Sequence, residues 1–193
     1  MNHMNNYRII DVSQWMDDFL FCGDQKFVVV GPFNRVSGKN PEFVYDFEMC
    51  SQSGTHIQGP HYFLEFGNRI EDFPLSFFEG SALLIDLEKR GVGTTRNDLV
   101  SKLGTDSVSN EILVLRTGNM EEIIASGSID PTKRPGLSLE AAAYLAKDCG
   151  VKMIAIDSIG VESRITYINY LENCDTQAIC RQCYHIKITK SCY

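Results

Sequence analysis

Three short apolar runs, each closed by turn residues, constrain this chain more than any other feature it has. Residues 81–87 (SALLIDL) and 111–116 (EILVLR) are continuously apolar and too short for core helices. That pattern predicts central strands of a sheet. The third run, 151–157 (VKMIAID), follows the strongest helix signal in the chain, over 138–148. There Ser138 stands as N-cap, three alanines fill 141–143, and Gly150 occupies the C-terminal cap position. A helix leading into a buried strand predicts an α/β domain.

Weaker signals fill in the rest. Residues 7–12 (YRIIDV) read as a short strand, 26–31 (KFVVVG) as a buried strand stopped by Gly31-Pro32, and 42–49 (EFVYDFEM) as a half-buried strand that alternates. A loop dense in Ser, Gly and Pro covers 50–60, and 97–103 reads as a short helix capped by Thr95 or Asn97. With 193 residues, 44% of them hydrophobic, and no internal repeat, one domain over 1–193 is expected.

Charge and composition narrow the function classes. Eighteen basic and 25 acidic residues leave a net charge of −7. This argues against nucleic acid as a partner and suits solubility or a basic protein partner. The N-terminal residues lack the basic start and apolar core of a signal peptide, and runs such as 27–30 and 112–115 are far too short to span a bilayer. The seven cysteines are odd in number and irregularly spaced, which fits free thiols in a reducing cytosol, so a cytoplasmic protein without membrane contact is expected.

Several local patterns have a plain reading beside a sharper one. Cys180 and Cys183, near Cys174, His185 and Cys192, lack a second paired knuckle and read as free thiols rather than a zinc site. Gly91-Val92-Gly93-Thr94-Thr95 lacks the Gly-Lys-Ser/Thr ending of a phosphate loop and reads as a turn. Phe73, Phe77 and Phe78 read as core or dimer packing before a ligand shelf.

One segment carries more information. Ser53-Gly54-Thr55-His56-Ile57-Gln58-Gly59-Pro60-His61-Tyr62-Phe63 resembles the signature His-x-Gly-Thr-His-x-Asp-x-Pro-x-His-Phe of the metal-dependent cyclase family that includes kynurenine formamidase. Three further stretches resemble that family in the same order: 81–87, 113–118 (LVLRTG) and 135–162, with its Pro-Gly-Leu-Ser, helix, Gly-Val-Lys and Asp-Ser passages. The resemblance covers about residues 7–163. It implies the family's swivelling β/β/α-type fold, an α/β domain built on a mixed central β-sheet.

In the family, the signature loop helps hold a zinc or manganese ion that turns bound water into the attacking hydroxide. Carried over residue by residue, the first ligand His falls on Gln52, the second on His56, and the ligand Asp on Gln58. The proton-handling His falls on Tyr62, with His61 one position early. The late His and Glu ligands fall near Thr176 or Gln177 and Thr189 or Lys190. Only His56 keeps a ligand's chemistry, and a neutral amide brings no charge to offset a dication.

The expectation is therefore a relic pocket of Gln52, His56, Gln58, His61 and Tyr62, with no metal ligand set, no catalytic residue and no cofactor. His56 reads as an imidazole hydrogen-bonded inside the loop, and His61 as an exposed loop histidine. Arg116-Thr117-Gly118 would edge the active site of an enzyme, and reads equally as a structural strand end.

The resulting expectation of function is a protein-binding module, an immunity or antitoxin type of protein that neutralises a basic toxin such as a nuclease. The alternative is a metal-dependent hydrolase of a small amide or lactone with a rebuilt site, working without the usual metal or with a different set of ligands. The family resemblance also suggests a homodimer, with the aromatic-rich stretch 63–78 between subunits.

Overall fold

The computed structural model describes residues 8–14, 27–34, 42–88, 92–104, 112–130, 132–163 and 184–187. Two sheets are present among the described residues. Strands β1 (Val28–Asn34) and β2 (Phe43–Glu48) form an antiparallel ribbon. The other five strands are β3 (His56–Gln58), β4 (Ala82–Asp86), β5 (Ile112–Arg116), β6 (Met153–Ile156) and β7 (Tyr184–Lys187), in the order β3-β7-β6-β5-β4. Strands β4 to β7 pair in parallel and β3 pairs antiparallel with β7. The sheet is mixed, and the domain is α/β as expected.

The core lies where the two best apolar runs sit side by side. Leu113 and Leu115 of β5 and Ile154 and Ile156 of β6 have no more than traces of exposure. Leu99 of helix α1 (Arg96–Leu103) and Ala141, Ala142 and Leu145 of the 138–148 segment belong to the same cluster. Burying each large side chain contributes about 1.5–3 kcal/mol. Strand β6 is buried at every position, which explains its unbroken apolar pattern.

Helix starts follow the sequence signals. Thr95 caps α1 with a capping box, its hydroxyl receiving the Asp98 amide while Asp98 receives the Thr95 amide. Ser138 caps helix α3 (Leu139–Ala143), which widens into a π turn over Tyr144–Asp148 before Gly150 turns the chain at φ 67°. Helix α2 (Asn119–Ser126) was not anticipated. It spans only two turns and starts from Gly118, which offers no side-chain cap, so its sequence signal is weak.

Four expectations need correction. Residues 8–12 are not a strand; Ile9 is 94% exposed, and a β-prone sequence without burial or a partner strand gains nothing from extension. The run 26–31 is not buried, and its strand continues through Gly31-Pro32 (a cis peptide), where the register with β2 shifts. Strand β2 is exposed on both faces except at Val44. Strand β4 is an edge rather than a central strand among the described residues, with Leu84 in solvent. No helix among the described residues is long and apolar enough to cross a membrane.

Candidate functional site

The loop 50–63 is shaped by its small residues and its two short elements. A turn closes with the Ser53 amide donating to the Cys50 carbonyl, and Gly54 takes φ 59°, a left-handed conformation that favours glycine. On β3 alternate side chains share a face, so His56 and Gln58 point together while Ile57 points away. Pro60 then starts a single 3-10 turn, Pro60–Tyr62. A Cβ on Gly67 would lie 2.6 Å from the Pro60 carbonyl carbon, so only glycine lets the chain return against this turn.

Three of the five predicted residues meet. His56 Nδ1 lies 2.9 Å from the Gly54 carbonyl oxygen, and His56 Nε2 lies 3.1 Å from Gln52 Oε1. The same Gln52 oxygen accepts from the Gln58 amide nitrogen. Nδ1 must donate to the carbonyl, so with Gln52 Oε1 facing Nε2 the ring carries both protons. A half-turn of both amides gives the neutral alternative, in which Gln52 Nε2 donates to His56 Nε2 and to Gln58 Oε1. In either state Gln52 is hydrogen-bonded to both His56 and Gln58.

Tyr62 borders the cavity beside this cluster, its ring edge-on to Phe63 at 4.5 Å. His61 does not join it. It is exposed and lines an open groove with Arg69, Ile70 and Glu71, which Gln52, Gln58 and Tyr62 also border. The late positions Thr176, Gln177, Thr189 and Lys190 lie outside the described residues, as do Cys174, Cys180, Cys183 and Cys192.

Two residues not anticipated complete the cavity wall. Arg134 Nη2 pairs with Glu162 Oε1 at 2.5 Å, with both side chains largely buried. The pair is set by the approach of two backbone segments. The Leu137 amide donates to the Val161 carbonyl and the Ser163 amide to the Leu137 carbonyl, and a Cβ at Gly136 would come within 2.4 Å of the Glu162 backbone. The guanidinium lies over Gly160, where a Cβ would stand 1.8 Å from Arg134 Nη2. Only the glycines, and the flanking resemblance motifs, hinted at this closeness in the sequence.

The ends of β5 and β6 are tied nearby. Asp157 accepts from the Thr117 amide (2.6 Å), the Thr117 hydroxyl (2.7 Å) and the Gly118 amide (2.9 Å). Burial pushes the Asp157 carboxyl up from its ordinary range, and these donors oppose that shift. Arg116 hydrogen-bonds first to Glu121 and then to Asp86, and the two carboxylates hold its charge more firmly than usual. The Arg116-Thr117-Gly118 strand end is thus knit into the scaffold.

Volume and donor type limit what the cavity can hold. It encloses about 40 Å³, room for a few waters rather than a ring-bearing substrate. The groove beside His61 encloses about 400 Å³, within the range of small-molecule sites. Gln52 and Gln58 on the cavity wall, and His56 bonded to Gln52, supply no negative charge, and the Glu162 carboxylate is engaged by Arg134. Among the described residues, no three of His, Cys, Asp and Glu come together as a metal site. These residues do not fit a divalent ion.

The order of these elements and the loop they carry have counterparts. The Cyclase family model matches residues 8–163. The chain belongs to the cyclase family. A kynurenine formamidase from Geobacillus thermodenitrificans (strain NG80-2) is 27% identical to this cyclase-family chain over 156 residues, covering 79% of this chain and 69% of that protein. Isatin hydrolase A from Ralstonia solanacearum superposes with a TM-score of 0.74 at 18% identity, covering 95% of this chain and 79% of that one. Isatin hydrolase A from Labrenzia aggregata, bound to benzyl benzoate, gives 0.72 at 16% identity, covering 95% and 81%. At these identities the structural likeness is one of fold.

Proposed function

We propose that this cyclase-family chain lacks the metal-dependent hydrolysis implied by its relatives and serves as a binding module for a basic protein. An immunity or antitoxin role against a basic toxin such as a nuclease is the form this takes. The observation that carries the reading is the Gln52–His56–Gln58 cluster. Where the family signature has two imidazoles and a carboxylate, this chain has one imidazole between two neutral amides, already bonded to each other. The net charge of −7 supports a cationic partner.

The test is metal content and turnover of the purified protein. Well under one equivalent of zinc or manganese per chain is expected, with no hydrolysis of a kynurenine formamide or of isatin when either ion is added. One equivalent of metal together with chelator-sensitive turnover overturns the reading.

The groove of about 400 Å³ favours a second reading, a hydrolase of a small amide or lactone with a rebuilt site around His61 and Tyr62. It requires turnover of such a substrate that is lost in His61→Ala.

A further inference from the structure

The loop after the signature segment brings charge and apolar surface together beside the open groove. Residues 64–72 (LEFGNRIED) set Glu65, Glu71 and Asp72 against Arg69, a net charge of −2 in a chain whose total is −7. All three carboxylates are exposed. Phe66 stands among them 94% exposed, so the burial of a large aromatic ring is still to be gained there.

This loop forms a wall of the groove. The His61 amide donates to the Asn68 carbonyl at 3.1 Å, and Gly67 lies against the Pro60–His61 backbone, which holds the neighbouring Phe66 at the His61 end. Ile70 and Glu71 line the groove itself, together with Ile57 and Tyr62. A Cβ at Gly59 would lie 3.1 Å from Ile70 Cδ1, although the φ of −100° there suits any residue. The missing side chain at 59 therefore keeps the groove open beside Ile70. At about 400 Å³ it has room for a protruding side chain.

We infer that this groove and its acidic rim receive a protruding cationic segment of a basic protein. An apolar side chain of that segment sits against Ile57 and Ile70, and flanking Lys or Arg side chains face Glu65, Glu71 and Asp72. The assignment rests on the reading that this chain binds a basic protein, and it gives that partner its surface. Charge selects the occupant. A second copy of this chain would set two acidic rims against each other, as the homodimer contact expected over 63–78 also would, and nucleic acid would meet the same repulsion. An apolar anchor in a pocket supplies affinity, while rim charges set encounter and orientation. Arg69 does not cancel this rim. Its Nη1 is 3.8 Å from Glu71 Oε1 with both side chains mostly in solvent, a weak pair that an incoming cation can replace.

The probe is a synthetic peptide with a leucine between runs of lysine, titrated into the ¹⁵N-labelled full chain at low ionic strength. Amide shifts should cluster over 57–72 and shrink as salt rises. They should be lost in Glu65→Lys/Glu71→Lys, whose otherwise unchanged spectrum reports its fold, and kept in Glu42→Lys/Glu48→Lys on the β1–β2 ribbon. If the first variant does not fold, the same peptide with glutamate in place of lysine decides on the wild type, and it should leave 57–72 unshifted. Shifts centred elsewhere, no shifts at millimolar peptide, or shifts that survive either charge reversal overturn the inference. So do resonances of 57–72 that move on dilution without peptide, because a second copy then fills the groove. Metal content and turnover judge the underlying reading separately: a metal-free, inactive chain with shifts elsewhere loses only this docking surface.

Discussion

The Gln52 side-chain amide hydrogen-bonds both His56 Nε2 and the Gln58 side chain, so one side chain holds the pocket together. Gln52→Ala leaves two half-buried polar groups without that partner and should cost about 1–3 kcal/mol, read from urea unfolding. His56→Ala should cost a similar amount. A loss below about 0.3 kcal/mol in both would mean the cluster contributes nothing to the fold. Asp157→Asn is a sharper probe, because an amide group turns a donor toward either Thr117 or Gly118. The same range applies, about 1–3 kcal/mol, with no loss as the contrary result. These positions differ in how far the sequence revealed them. Gln52, His56 and Gln58 were singled out because the loop 53–63 resembles a family signature, and no local spacing marked them. Arg134 and Glu162 were not, since 28 residues separate them and only the close backbone approach at Gly136 joins them.

Among the elements, local chemistry and tertiary contact divide the work. Ser138 receives the Ala141 amide, so Ser138→Ala should lower stability by about 1 kcal/mol, measured by thermal or urea unfolding. Gly136→Ala should do more than any cap substitution. Its Cβ would meet Glu162 backbone atoms at 2.4 Å, which forces the two segments apart and breaks the Leu137–Val161 bond. A Gly136→Ala protein as stable as wild type would show that the segments are not in such contact. The capped helices, β5 and β6 were legible because caps and unbroken apolar runs act within a few residues. The exposure of β1 and β2 was not, because an apolar run says that burial is favourable without saying which surface supplies it.

For the molecule as a whole, the excess of seven negative charges sets how it meets a partner. If the partner is a basic protein, association should slow as salt rises, because the Debye length shrinks from about 30 Å at 0.01 M to about 10 Å at 0.1 M. Electrostatic steering raises on-rates by about 10–10³-fold, while dissociation follows the desolvated contacts and should change less. Stopped-flow association at two salt concentrations checks this, and a salt-independent on-rate removes the electrostatic support for that partner. His56→Ala should leave the association rate unchanged if the pocket is a relic, and should weaken binding if the partner reaches into it.

By itself the sequence determined the class of fold, the buried runs of β5 and β6, the starts of the two capped helices and the family, because each of these is encoded by periodicity, capping chemistry or an ordered set of motifs. The tertiary structure alone decided that Gln52 bonds to both His56 and Gln58, that Arg134 and Glu162 close the same cavity, and that the β1–β2 ribbon leaves its aromatic row in solvent. The physical reason is range: hydrogen-bond partners and burial depend on which distant backbones pack together, and a one-dimensional pattern records a residue's preference but not the neighbour that satisfies it.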